Sequence, residues 1–161
     1  MPVDTGKVAG RRPVRYNSYD ELLADAERLA AGENQTLGNW SLGQIYNHLA
    51  KAIHMTIDGP PFLLPWPLRI FFKLFMKQRM LQKMLPPGFK LPKRAESMLP
   101  EPTTTADGLE LLRAAIKRVK CTPQRGLHPA FGKMGPGEWD QFQLRHCEMH
   151  MSFVVPTEIV H

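Results

Sequence analysis

Two histidines, His146 and His150, stand four residues apart in the stretch LRHCEMHMSF. On a helix that spacing sets both imidazoles on one face, where they could share a metal ion. The competing reading is two core histidines, each with an ordinary hydrogen bond. The pair alone leaves both readings open. The residues between are Cys147, Glu148 and Met149, so the HExxH arrangement of metalloproteases is absent. Rotation by about 100° per residue places Trp139, Phe142, His146, Met149, His150 and Phe153 in one sector, with Gln141, Glu148 and Ser152 opposite. Both rings are therefore expected to point inward with the aromatic stripe. Burying a polar ring costs free energy unless its nitrogens are satisfied.

A third ligand would shift the balance. The segment SLGQIYNHLAKAIH offers His48 at the edge of an apolar face with Ile45 and Ala52, and His54 nearly opposite that face. His48 is expected to project inward and His54 to be solvated. His128, in the loop HPAFGKM, and His161, the last residue, are weaker candidates. Three neutral imidazoles from two helices with an open fourth position make a catalytic rather than a structural metal site. Zinc, nickel, iron and manganese all accept imidazole, so the ligand set does not name the metal. An ion so held lowers the pKa of bound water, for hydrolysis, or of a thiol, for transfer to an electrophile. No general base lies beside the ligands: Glu148 points away, and Glu138 and Asp140 lie more than a turn N-terminal. That favours thiol transfer. Cys147 reads as a small core residue rather than a nucleophile. Trp40, Trp139 and Phe142 could line a pocket above the metal, although aromatic stripes at helical spacing are usually core.

The elements that must position these groups are helices. Ser18 with Glu21 starts one over Tyr19 to Ala31, with Leu22, Ala26, Leu29 and Ala30 at helical spacing and Gly32 as the stop. Ser41 with Gln44 starts a second, with Trp40 placed to staple onto Ile45; it ends before Asp58-Gly59-Pro60-Pro61. A third, capped by Thr104 or Thr105, carries Leu109, Leu112, Ile116 and Val119. The fourth opens at Pro136 and Glu138 and is expected to run to about Val155 before Pro156. Strand signals are weak, so the fold class is all-α, a four-helix bundle with a long crossover between the second and third helices. Residues 1–15 are expected to be disordered, 16–156 to form one domain, and 157–161 to be a tail. The crossover contains a proline-bounded segment, Leu68 to Leu85, rich in Phe and Met, with Arg69, Lys73 and Lys77 in line. Its preferred reading is a single helix laid over the bundle, lysine stems covering apolar surface. The alternative is a basic amphipathic helix that meets a partner or a membrane surface.

Composition closes off several classes. The 161 residues carry 21 Lys and Arg against 15 Asp and Glu, a formal charge of +6 that reads as diffuse along the chain. No stripe interleaves that charge with stacking aromatics, so nucleic acid is not the expected partner. Two cysteines without a CxxC fit a reducing cytoplasm. The polar start MPVDTGKVAGRR lacks a signal-peptide core, and no apolar run of about 18 residues exists to span a membrane.

The stretches GNWSLGQIYNHLA (Gly38 to Ala50), HPAFGKMGPGEW (His128 to Trp139) and HCEMH (His146 to His150) resemble the DinB/YfiT-like metalloenzyme superfamily, in a branch of unknown function. The resemblance runs from about Tyr16 to Pro156 and is poorest over Leu68 to Leu85. It implies a four-helix bundle and a divalent metal held by His48, His146 and His150. Some relatives are metal-dependent transferases or isomerases that use low-molecular-weight thiols. Two departures stand out: Met151 follows the final ligand where relatives often have His, and Gly135 caps the last helix where they often have Ser or Thr. The first implies a drier site. The expected function is a metal-dependent enzyme acting on a small electrophile with water or a thiol. A non-catalytic metal- or ligand-binding bundle and an interaction module using the basic crossover helix are the alternatives. An exposed aromatic face on the crossover would support a homodimer.

Overall fold

The computed structural model describes residues 1–157; His161 and the tail after residue 157 lie outside the described residues. These residues form six α-helices: α1 (Tyr19–Ala31), α2 (Leu42–Asp58), α3 (Trp66–Phe75), α4 (Lys77–Gln82), α5 (Thr105–Cys121) and α6 (Pro136–Met151). A two-stranded antiparallel ribbon pairs β1 (Asn34–Thr36) with β2 (Val154–Pro156), and 3-10 turns occupy Thr5–Lys7 and Lys93–Met98. The fold is predominantly helical.

The caps set the helix starts as their chemistry requires. Ser41 Oγ accepts the Gln44 N–H at 3.2 Å while Gln44 Oε1 accepts the Ser41 N–H at 3.0 Å, a reciprocal capping box. At α1 the reciprocity slips by one residue. Ser18 Oγ accepts the Glu21 N–H, but Glu21 reaches back to the Asn17 N–H at 2.8 Å. Thr104 caps α5 through the Asp107 N–H at 3.1 Å.

One core joins α1, α2, α5 and α6 through Leu22, Leu29, Leu49, Ile53, Leu112, Val119, Leu144 and Met151. Helices α2 and α5 approach most closely, and two glycines permit it. A Cβ on Gly108 would stand 2.6 Å from the Gly43 carbonyl oxygen, and one on Gly43 would stand 2.2 Å from the Thr103 carbonyl oxygen. The second residue of α2 is thereby locked against the first turn of α5, which fixes the rotation of α2 and the direction in which His48 projects. A second, smaller core of Leu81, Phe131, Met134 and Trp139 docks α4 and the loop before α6 onto α6.

Four expectations are corrected. The fourth helix stops at Met151, and Val154–Pro156 turns extended to pair with Asn34–Thr36; β-branched Val154 and Val155 suit that ladder. The segment Leu68 to Leu85 is two helices broken at Met76. Nor does α3 turn its apolar side down: Trp66, Leu68, Ile70, Phe71, Leu74 and Phe75 are all exposed, and no α3 residue is buried. The chain ahead of α1 is tied to the body from Arg11 to Tyr16. Arg12 forms a two-pronged pair with Asp25 (3.0 and 2.6 Å) and donates from Nε to the Val154 carbonyl, while the Tyr16 hydroxyl donates to Asp25. That strap explains the fourth correction. Glu148 and Ser152, placed by rotation on an outer face of α6, are buried (0% and 1% exposed), because the chain before α1 lies over them.

Candidate metal centre

His48 comes from the second turn of α2 and His146 and His150 from the last turns of α6. Their Nε2 atoms converge. His146 Nε2 lies 3.3 Å from His48 Nε2 and 3.1 Å from His150 Nε2, and one ligand atom from each ring falls within 4.8 Å of the others. Nitrogens held about 2.0–2.1 Å from one tetrahedral ion stand roughly 3.3–3.4 Å apart. The spacing therefore suits a shared ion with little movement. Without one, three nitrogens at this distance can satisfy one another only in part, since neutral imidazole carries a single N–H.

The chemistry of the donors also fits. Burial pushes the proton affinity of all three rings down: His48 is lowered by burial, His146 falls to about 3 through burial and the neighbouring His48, and His150 is driven well below its ordinary value by burial, then by His146, His48 and Arg11. Neutral imidazoles present lone pairs, which a metal requires. His48 Nδ1–H donates to the Met98 carbonyl at 2.7 Å, so its Nε2 is the free acceptor. The Lys93–Met98 turn thus orients the His48 ring from the crossover.

Gln143 does the corresponding work for His146. Its side-chain amide is fully buried, with the amide nitrogen 3.3 Å from His146 Nδ1 and its Oε1 without a hydrogen-bond partner. Oxygen and nitrogen of such an amide exchange places on a half-turn with no steric change. With the oxygen toward the ring, Oε1 accepts Nδ1–H and leaves Nε2 free for metal. This outer partner fixes tautomer and ring orientation. Gln143→Leu is expected to weaken zinc affinity by roughly 10–100-fold, and Gln143→Glu to retain it. Competition titration against a chromogenic chelator measures both; unchanged affinity in the leucine variant would remove this role. The spacing Gln143-x-x-His146 carried the signal, since i and i+3 share a helix face. The Met98 carbonyl left none.

The remaining candidates separate. Trp40 belongs to the site: its ring stacks on His150 (centroids 5.3 Å apart, 14° between planes) and lies 4.9 Å from His48. Trp139 does not line an opening. It is fully buried and donates from Nε1 to the Gly126 carbonyl at 2.8 Å. Half-buried Phe142 packs edge-on to Trp139 and His128. His128 is a structural residue whose Nδ1 accepts the N–H groups of Ala130 and Phe131 at 3.0 and 3.1 Å, and burial pushes it down to about 3. His54 receives a hydrogen bond from Arg118, outside the cluster. Cys147 is fully buried in the main core, which pushes its thiol up.

Among the described residues, no nearby carboxylate is free to act as a base. Glu148 accepts from the Tyr16 N–H at 2.8 Å and forms an ion pair with Arg145 at 2.8 Å; Glu138 pairs with Lys77 at 2.6 Å; Asp140 pairs with Arg125 at 3.1 Å. Arg11, which the sequence did not single out, is held by Ser152 Oγ (3.0 and 2.8 Å), lies over the Phe153 ring, and its charge reaches His150.

Compared with known families, residues 8–157 match the model of a family described as protein of unknown function, DUF1569. No curated protein and no solved structure matches the chain.

Proposed function

The chain belongs to the DUF1569 family of proteins of unknown function, and from the site geometry we propose a divalent-metal-dependent enzyme that adds a thiol or water to a small electrophile. On this reading α1, α2, α5 and α6 are the four helices of a DinB/YfiT-like bundle, and His48, His146 and His150 hold the metal. The observation that carries it is the convergence of three Nε2 atoms at 3.1–3.3 Å.

When bound, an ion on three neutral imidazoles keeps its full charge and makes a neighbouring water or thiol nucleophilic near neutral pH. The residues around it perform the rest. Met98 and Gln143 keep the ligand lone pairs aimed inward. Trp40 walls one side of the rings and excludes water from that side. Arg11 places a fixed cation near His150, which suits an anionic nucleophile. With Glu138, Asp140 and Glu148 each committed to a cation, a thiol fits better than water, because it needs no separate base to become nucleophilic.

The test is metal content of protein prepared without affinity tag or added metal, followed by zinc and nickel uptake, in wild type beside His146→Ala/His150→Ala. Roughly one ion per chain in the wild type and none in the variant is the expected result. A wild type that takes up neither metal would make the triad a core feature. Metal-dependent consumption of an electrophile plus thiol then separates an enzyme from a metal-binding bundle.

A further inference from the structure

The exposed face of α3 has no counterpart elsewhere among the described residues. A helix on a protein surface ordinarily turns its apolar side inward. Here Trp66, Ile70 and Leu74 follow one another at i, i+4, i+8, flanked by Phe71 and Phe75, and all five point outward with between 48% and 71% of their surface exposed. The inward side is the polar one in part: half-buried Phe72 packs on the small core, and Arg69 lies beneath the helix with a guanidinium nitrogen 3.6 Å from where a Cβ on Gly132 would sit. A contiguous apolar surface of this kind marks a site of contact.

Charge decides what it contacts. Between Asp58 and Glu96 the chain has eight Lys and Arg and not one Asp or Glu, so the remainder of the protein is net −2 and the whole basic excess resides in this crossover. Lys77 is paired with Glu138. Lys73, Arg79, Lys83, Lys90, Lys93 and Arg94 are exposed, and none forms an ion pair among the described residues, whereas Arg12, Lys51, Arg113, Arg118, Lys120 and Arg125 all do.

We propose that α3 docks on the surface of an anionic phospholipid bilayer, its Trp66–Phe75 apolar face in the interfacial layer and the surrounding cations on lipid phosphates. A bilayer offers apolar depth and negative charge together, which is what this face matches. A second copy of the chain offers the first without the second and would bring two strongly basic crossovers together. Contact would be peripheral, since no helix among the described residues is long and apolar enough to cross a membrane.

The experiment is co-sedimentation of the full chain with phosphatidylcholine vesicles, with and without phosphatidylglycerol. Wild type is expected to pellet with the anionic vesicles and to bind the neutral ones at least about tenfold more weakly. Phe71→Glu/Leu74→Glu, which alters exposed side chains only, is expected to abolish pelleting. Lys73→Glu/Lys83→Glu should weaken binding to anionic vesicles by about tenfold or more. Both variants should keep the wild-type circular dichroism spectrum. Wild type remaining in the supernatant with every vesicle, or the Phe71/Leu74 variant binding as wild type does, overturns the proposal. So does a lower mass in solution for that variant than for wild type, which would assign the face to a second copy.

Discussion

Glu148→Leu is expected to lower the free energy of unfolding by about 3–5 kcal/mol, the cost of leaving a buried partner charge uncompensated. Glu148 is fully buried; its Oε1 accepts the Tyr16 N–H at 2.8 Å and pairs in charge with Arg145 Nη2 at 2.8 Å, with Arg15 3.8 Å from Oε2. Arg145 is itself 4% exposed, so removing the carboxylate strands a guanidinium and an amide N–H in the interior. Exposed pairs in the same protein, such as Arg118 with Asp58, contribute far less because solvent screens them. Urea denaturation in the presence of a chelator measures the difference without a contribution from metal. Glu148→Gln should lose less, because an amide oxygen still accepts from Tyr16. The double variant Glu148→Leu/Arg145→Met should recover much of the loss, since replacing both members of a buried pair removes the orphan charge. A loss below about 1 kcal/mol in the leucine variant would mean that the N-terminal strap is not fastened by this pair.

The helix starts and the convergence of three histidines were legible because each is encoded locally. A capping serine or threonine and a 3.6-residue apolar period need no knowledge of distant chain, and His48, His146 and His150 follow from rotation on two helices. The illegible parts depend on what lies across from a residue. Rotation placed Glu148 and Ser152 outside because α6 was assumed to have one buried face; the segment through Arg12 and Tyr16 covers the other. Arg69, Lys73 and Lys77 were expected in line on one helix laid apolar side down, but the break at Met76 sets Lys77 on α4 and α3 turns its apolar side out: periodicity says which residues share a face of one helix and is silent on whether anything covers it. The basic excess looked diffuse until helices and ion pairs sorted the neutralised cations from the free ones. Polar groups that orient the histidine rings split in the same way. Gln143 sits one turn from His146 and could have been found, whereas a backbone carbonyl at Met98 has no signature in residue type.

Zinc added to the chelator-treated protein at 1,000 times its dissociation constant is expected to raise the free energy of unfolding by about 4 kcal/mol. For a domain of this size that is a rise in Tm of roughly 8–16 °C. The increment arises because the folded chain presents three oriented, neutral imidazoles and the unfolded chain does not. His146 is the variant to compare. Its Nε2 is the atom common to both short contacts, 3.3 Å to His48 and 3.1 Å to His150, and with it gone no pair of nitrogens at those distances remains. His146→Ala should therefore show almost no zinc-dependent rise, while its metal-free stability is free to move in either direction: a half-buried ring is lost, yet so is a crowding of nitrogens that cannot all be satisfied by one another's single protons. Comparing the increment within each protein cancels that baseline. His54→Ala, altering a histidine of α2 that lies outside the cluster, should keep the full increment. Equal increments in wild type and His146→Ala would place zinc elsewhere on the chain, and no increment in wild type would leave the three rings as packing. Only a rise that depends on His146 and not on His54 ties the metal to the point where α2 and α6 face each other.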